Sequence, residues 1–366
     1  MANRPPLAAL PQQIADNEWS IELLRGVAAL MVVYAHYRVF GGAPRSVLDF
    51  TFSGVDLFFV ISGFVFAPYF YGKKLGIAPF FVRRFLRIYP LYVVALGVYA
   101  ALRHFNGQGI EHLLKHLFFL HTLETKEIAF YYNPAFWSLP PEVEFYLALP
   151  ALCVLFRGER RVGALLALAG LVHLSLVAMQ GRDDGAAKVA EISLFHLPGV
   201  LVEFLLGTLA WKTASLQPRP AIRGVLLLVG GTLWTTLALI FMSGGDAAIE
   251  SSWWLRGNVG ILSALAYALA VSAIVGWVKA APLPLRSASL WMGNLSFGIY
   301  LFHNAMPTAL SPFVETPSGG LFAVACTAGT LAISYLAHRF YEEPLRQWGR
   351  RQAKRMQTRP PVGDFT

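Results

Sequence analysis

The sequence predicts an all-α integral membrane protein with about ten transmembrane helices and both termini cytoplasmic. Hydrophobic residues make up 56% of the 366 residues and charged residues only 14%, more apolar side chain than a soluble chain of this length hides in one core. The apolar residues gather into stretches close to the roughly 20 needed to cross a bilayer. Basic residues are dense in every second connection and sparse in the others.

The stretches are 21–40, 53–71, 88–102, 137–156, 162–179, 192–211, 222–242, 255–278, 289–310 and 320–340. They form one membrane domain, 21–344, between a cytoplasmic tail at 1–20 and a basic cytoplasmic tail at 345–366, expected to be a solvated end. Residues 1–20 lack the apolar run of a cleavable signal, so the first span reads as a mature helix. With the N-terminus inside, the connections assigned to the cytoplasm hold 20 Lys and Arg, and the opposite ones hold 7. That asymmetry is the positive-inside pattern. It also assigns the net charge of +9 to membrane orientation rather than to nucleic acid. The segment HLLKHLFFLHTL at 112–123 is too short to span, and counting it as a span would reverse the bias, so it reads as an interfacial or re-entrant piece of an outer loop. Cys153 and Cys326 each lie alone in an apolar stretch, which suggests neither a disulfide framework nor a zinc site. No metal site is expected.

Ionisable residues inside a span cost roughly 2.5–3.5 kcal/mol each and usually face a cavity or one another. Arg25 and His36 in the first span are eleven positions apart, which returns them to within about 20° of one face at a separation of about 16 Å. Snorkelling of Arg25 to the inner headgroups and a helix–helix hydrogen bond for His36 would also account for them. In the second span Asp56 stands near the outer mouth, where a carboxylate can orient an imidazole, and Ser62 with Gly63 lets a helix or an extended ligand approach closely. Arg83, Arg84 and Arg87 precede Pro90; such a cluster contacts anionic membrane lipid or clamps phosphate. In FWSLPPEVEFYLALP, Glu142 and Tyr146 share a face at i and i+4, whereas Glu144 is turned about 200° away. Ser296, Tyr300 and His303 form a polar stripe, with His303 at the depth of His36. His173, His196 and Glu203 read as packing or helix–helix hydrogen bonds.

Taken together, IELLRGVAALMVVYAHY, GVDLFFVISGF, RRFLRIYPLY, FWSLPPEVEFYL, LSFGIYLFH and YEEP resemble the acyltransferase 3 family of membrane O-acyltransferases, in family order across about 21–344. The resemblance implies transfer of an acyl group, usually acetyl, from cytoplasmic acyl-CoA (acetyl-CoA) as co-substrate to a hydroxyl of a sugar or glycan, in a bacterial inner membrane. The family's Arg and His fall on Arg25 and His36, its basic loop on Arg83, Arg84 and Arg87, and its Trp-Ser-Leu Glu on Glu142. Two departures stand out: Val143 occupies the position of a second Glu, and Phe297 that of a common Tyr. The stand-alone form is expected, without the C-terminal hydrolase-like domain some relatives carry.

The implied assignment makes His36, Glu142, Asp56, Tyr300 and His303 catalytic. Arg25, Arg83, Arg84, Arg87 and Ser62 bind acyl-CoA, and Trp137, Ser138 and Tyr146 bind the carbohydrate acceptor. His36 is the expected general base; a covalent acyl-His36 intermediate stays open. A transporter or flippase of a glycan or lipid-linked sugar also accounts for intramembrane charges, as does a scaffold in a polysaccharide-export complex. Acyl-CoA, a carbohydrate or glycan acceptor, membrane lipid and, in a homodimer, a second copy of the chain are the expected partners.

Overall fold

In the computed structural model, residues 18–42, 44–182, 185–277, 282–314 and 316–358 are described. The expected N-terminal tail therefore lies almost wholly outside the described residues, as does the C-terminal end after 358. The long helices are α1 (Glu18–Tyr37), α2 (Gly54–Phe70), α3 (Ile77–Phe105), α4 (Leu139–Leu155), α5 (Glu159–Met179), α6 (Leu197–Ser215), α7 (Pro220–Gly244), α8 (Trp253–Ile274), α9 (Leu283–Phe302) and α10 (Gly320–Ala337). A further helix, α11 (Glu343–Thr358), follows a π-helical turn at His338–Glu342. The described residues are helical or irregular throughout, without a strand, and the chain is an all-α integral membrane protein.

Nine helical stretches among the described residues are long and apolar enough to cross a bilayer, one fewer than the sequence suggests. The difference falls on α9, whose first twelve residues carry Arg286, Ser287, Ser289 and Asn294 and which packs along α1 instead of relying on its own hydropathy. Its expected span, 289–310, is also broken: α9 ends at Phe302 and a short helix, Ala305–Leu310, follows. Likewise 192–211 divides into Gly185–Leu194 and α6, with Pro198 in the first turn of α6, where its missing N–H is not needed.

Helix α2 sits at the centre, against α1, α4, α6 and α8. Two kinds of packing hold it there. Small residues on α1, α2, α6 and α8 (Ala28, Ala67, Ala210, Ala264) allow close backbone approach, the usual basis of helix association in lipid. Around Phe66, Phe145 and Phe204 an aromatic cluster joins α2, α4 and α6, with the Phe145 and Phe204 rings stacked at 4.1 Å.

Two basic segments differ from expectation. Arg83, Arg84 and Arg87 do not lie in a loop: α3 starts at Ile77, so they sit on its helical extension. The tail after Pro344 is not a free end through 358, because α11 packs on α3 through a face bearing the buried Gly349 and Ala353.

The 112–123 segment does not span, as its length suggests: one short helix, Leu113–Leu117, then a turn. His116 and His121 within it are fully buried, with rings stacked 4.2 Å apart. Burial, reinforced for His116 by the neighbouring His121, pushes the two imidazoles down to about 3 and about 4 from an ordinary 6.5. His112 and His196 lie nearby and add like charge when protonated. The unfolded segment therefore binds more protons than the folded one below pH 6.5, and stability falls with acidification through that range. Limited proteolysis of this segment is expected to accelerate as pH falls from 7 to 5 and to lose most of this dependence in His116→Gln/His121→Gln. A rate equally flat in the native chain would contradict the account.

Candidate active site

A narrow cavity runs between α1, α2, α3, α4 and α9. Each helix contributes the side chains on one face. Arg25 comes from α1; Val55, Phe58, Phe59 and Ser62 from α2; Arg87 from α3; Glu142 and Tyr146 from α4, with Ser138 just before it; and Ser296, Phe297 and Tyr300 from α9. Spacings of three or four residues place these groups on single helical faces. Because α1, α3 and α9 run opposite to α2 and α4, Arg25 and Arg87 mark one end of the cavity, and Ser138 and Tyr300 the other.

At the basic end Arg25 donates to Glu22 at 2.6 Å. Glu22 is absent from the residues expected at the site, although its i, i+3 spacing from Arg25 was available as a signal. Arg87, Tyr146 and Glu142 are further charged or ionisable neighbours of Arg25. Arg87 forms no hydrogen bond or ion pair among the described residues, which leaves cationic capacity at the wall. Arg84 stands behind that wall, its guanidinium over the rings of Phe66 at 5.0 Å and Tyr146 at 5.7 Å; its Nε is buried without a partner. Arg83 is half-buried and does not line the cavity.

In the middle, Glu142 accepts hydrogen bonds from Ser62 Oγ at 3.3 Å and from the Tyr146 hydroxyl. Both partners donate to this one carboxyl group. At the far end the Tyr300 hydroxyl donates to the Ala135 carbonyl at 2.7 Å and lies 2.6 Å from Ser138 Oγ. Trp137 stays outside the cavity, packed against Phe59 and Phe195 as backing.

His36 and His303 stand beyond Tyr300 and do not line the cavity. The His303 ring centroid is 6.1 Å from that of Tyr300 and 4.8 Å from that of His36, edge-on. His36 Nδ1 lies 2.8 Å from the Val32 carbonyl, so the bond requires the proton on Nδ1 and leaves the Nε2 lone pair open as a base. His303 Nδ1 is likewise bound to the Tyr300 carbonyl at 2.9 Å. Its Nε2 is buried without a partner, whereas His36 is only half-buried and is the accessible imidazole of the two.

Asp56 does not serve His36. Its carboxylate accepts from Ser263 Oγ on α8 and lies beside Glu203. Asp56 is one residue past Val55, and the 100° step turns it from the cavity face of α2 toward α6 and α8. Glu203 Oε2 is buried without a partner, so Glu203 belongs to this carboxylate pair and not to plain packing.

His173 and His196 form the expected interhelical bonds. His173 Nδ1 reaches the Gly199 carbonyl at 2.8 Å, and His196 Nδ1 is 2.5 Å from Glu144 Oε1. Glu144, although turned from the cavity, also accepts the Leu197 backbone N–H at 2.8 Å and so caps α6. Glu144→Ala is expected to lower stability by about 1–2 kcal/mol through loss of that cap, read as a lower thermal midpoint in detergent with the affinity for acyl donor unchanged. An unchanged midpoint would remove the capping role.

Comparison with known proteins bears on this arrangement. A family model described as an acyltransferase domain matches residues 18–339. The chain belongs to the acyltransferase 3 family. This acyltransferase is 27% identical to nodulation protein 10 of Rhizobium leguminosarum bv. viciae over 362 residues, 89% of this chain and 92% of the relative. It is 26% identical to the peptidoglycan O-acetyltransferase OatA of Listeria monocytogenes over 365 residues, covering 90% of this chain but only 56% of that protein. A shorter match, 51% identical over 84 residues, is to protein 2 in the picA locus of Rhizobium radiobacter. No solved structure matches the acyltransferase significantly.

Proposed function

We propose that the chain is a bacterial inner-membrane O-acyltransferase that moves an acyl group, acetyl foremost, from cytoplasmic acyl-CoA to a hydroxyl of a sugar or glycan, both termini being cytoplasmic. The observation that carries this reading is the cavity itself, with Arg25 and Arg87 at one end and Tyr300, followed by the two imidazoles, at the other. Under this reading the arginines hold the donor's phosphates and the acyl thioester extends past Ser62 and Glu142. The acceptor hydroxyl meets it near Tyr300.

The chemistry then follows from the tautomer of His36. Its Nε2 takes the hydroxyl proton as the acceptor oxygen attacks the thioester carbonyl carbon. The tetrahedral intermediate carries an oxyanion, for which the paired hydroxyls of Ser138 and Tyr300 supply a hydrogen when one releases Ala135. Collapse breaks the C–S bond, and the departing thiolate takes the proton back from the His36 imidazolium. His303 holds the His36 ring edge-on, while Tyr146 and Ser62 fix Glu142 as an anion that balances the arginines. The O-acetylation printed in the name of the Listeria relative supports a carbohydrate hydroxyl as acceptor.

The test supplies membranes containing the chain with [acetyl-¹⁴C]-CoA and follows label by mass spectrometry into surface glycans and small glycosides. Label in an alkali-labile carbohydrate ester that depends on the chain is the expected result. Movement of a glycan across the membrane with no acyl transfer would replace this reading with that of a transporter.

A further inference from the structure

The basic end of the cavity has one neighbour that the motifs did not reveal. The π-helical turn at His338–Glu342 buries Glu342 and sets α11 against the extension of α3 that carries Arg84 and Arg87. Close contact is possible because residue 349 is glycine: a Cβ there would lie 2.8 Å from Leu86 Cδ1. On the same face of α11, one turn before Gly349, is Arg346, whose side chain is only 20% exposed and whose charged neighbours include Arg87.

Arg346 is held, but loosely. Its Nη1 is 3.4 Å from Asn294 Oδ1 of α9, 3.5 Å from Glu342 Oε1 and 3.9 Å from Glu343 Oε2. Charge-assisted bonds that are fully formed run to about 2.7–2.9 Å, so these contacts aim the guanidinium without saturating it. All of them use Nη1, leaving Nη2 and Nε uncommitted. The neighbouring Arg87 makes no ion pair at all among the described residues, and Arg84 Nε has no partner. Arginines gathered with so few contacts to carboxylate are short of an anion, and two guanidinium forks on adjacent helices suit a phosphate ester.

We infer that α11 is the cytoplasmic wall of the donor site and that Arg346, aimed by Glu342 and Asn294, grips a phosphate of the donor nucleotide together with Arg87. This rests on the acyl-CoA reading proposed above. The two carboxylates of YEEP then act differently, since Glu342 orients Arg346 while Glu343 mainly pairs with the exposed Arg350 at 2.5 Å. A phosphate ester is also the headgroup chemistry of an anionic lipid, and the experiment separates the two.

Full-length protein in phosphatidylcholine nanodiscs is titrated with acetyl-CoA, and turnover is measured with acetyl-CoA and with S-acetylpantetheine, which has no phosphate. Arg346→Gln is expected to weaken acetyl-CoA binding about 10- to 100-fold, the weight of one charge-assisted contact, with turnover on S-acetylpantetheine unchanged. Arg350→Gln should match the native chain, and adding phosphatidylglycerol should leave the difference in place. Equal acetyl-CoA affinity in Arg346→Gln would overturn the inference. So would an equal loss on S-acetylpantetheine, which marks a structural role, or a loss seen only with phosphatidylglycerol, which marks a lipid site. If the native chain itself failed to bind acetyl-CoA, the donor reading would fall as a whole; native binding beside an indifferent Arg346→Gln would remove only the assignment of α11.

Discussion

His36→Ala is expected to abolish acyl transfer, by about 10²- to 10⁴-fold in turnover, while the protein still folds and binds acyl donor. The expectation separates chemistry from structure because His36 contributes little to packing. It is half-buried near the end of α1, and its contacts are the Val32 carbonyl and the edge of His303. Val32 is four residues back, so its carbonyl keeps its helical partner when the imidazole is removed. Donor affinity should persist, since Arg25 and Arg87 lie at the other end of the cavity. His303→Ala is a different case: that ring is fully buried and packs against the rings of His36, Tyr37 and Tyr300, so packing and activity should fall together. The measurement is transfer of labelled acetyl by purified protein, alongside the thermal midpoint. Transfer by His36→Ala within a few-fold of the native rate would rule out His36 as the base.

Periodicity carried the fold and much of the site, because both depend on which residues share a helical face. Ser62, Glu142, Tyr146 and Tyr300 reach one cavity for the reason the sequence suggested: each lies on a polar or small-residue stripe of its own helix. Periodicity does not say which neighbour a given stripe meets. Asp56 shows the cost of that gap: in the first turn of α2, it turns to Ser263 and Glu203 instead of the imidazole. The same gap hides Glu22, one turn from Arg25. Hydropathy has its own blind spots. Helix α9 carries polar residues, the exposed Arg286 and Ser287 and the buried Ser289, that lower its hydropathy although it packs along α1, and α11 docks through Gly349 and Ala353, which leave no apolar peak in a segment dominated by arginine.

Gly207→Ala and Gly63→Ala are each expected to prevent accumulation of folded protein. The two glycines mark the crossing of α2 and α6, and each faces the backbone of the other helix. A Cβ on Gly63 would lie 1.7 Å from the Phe204 carbonyl oxygen, and one on Gly207 would lie 1.9 Å from the Val60 carbonyl oxygen. A clash with a flexible side chain can relax by rotation, but a clash with a helical carbonyl moves the whole helix. Parting α2 from α6 would loosen the Phe59–Phe204 contact at 4.9 Å and the seating of Ser62 against Glu142. In lipid no hydrophobic gain drives the helices back together, so association depends on the close packing that is lost. The cost should therefore exceed the roughly 1–3 kcal/mol of an ordinary overpacked core. Gly170 in the middle of α5 supplies the contrast, since a Cβ there meets nothing within 4 Å, and Gly170→Ala should be tolerated. The readout is the fraction of each variant eluting as a single species from size-exclusion in mild detergent. A Gly207→Ala protein that eluted and melted like the native chain would mean that α2 and α6 do not cross this closely, and the position of Ser62 in the cavity would have to be redrawn with them.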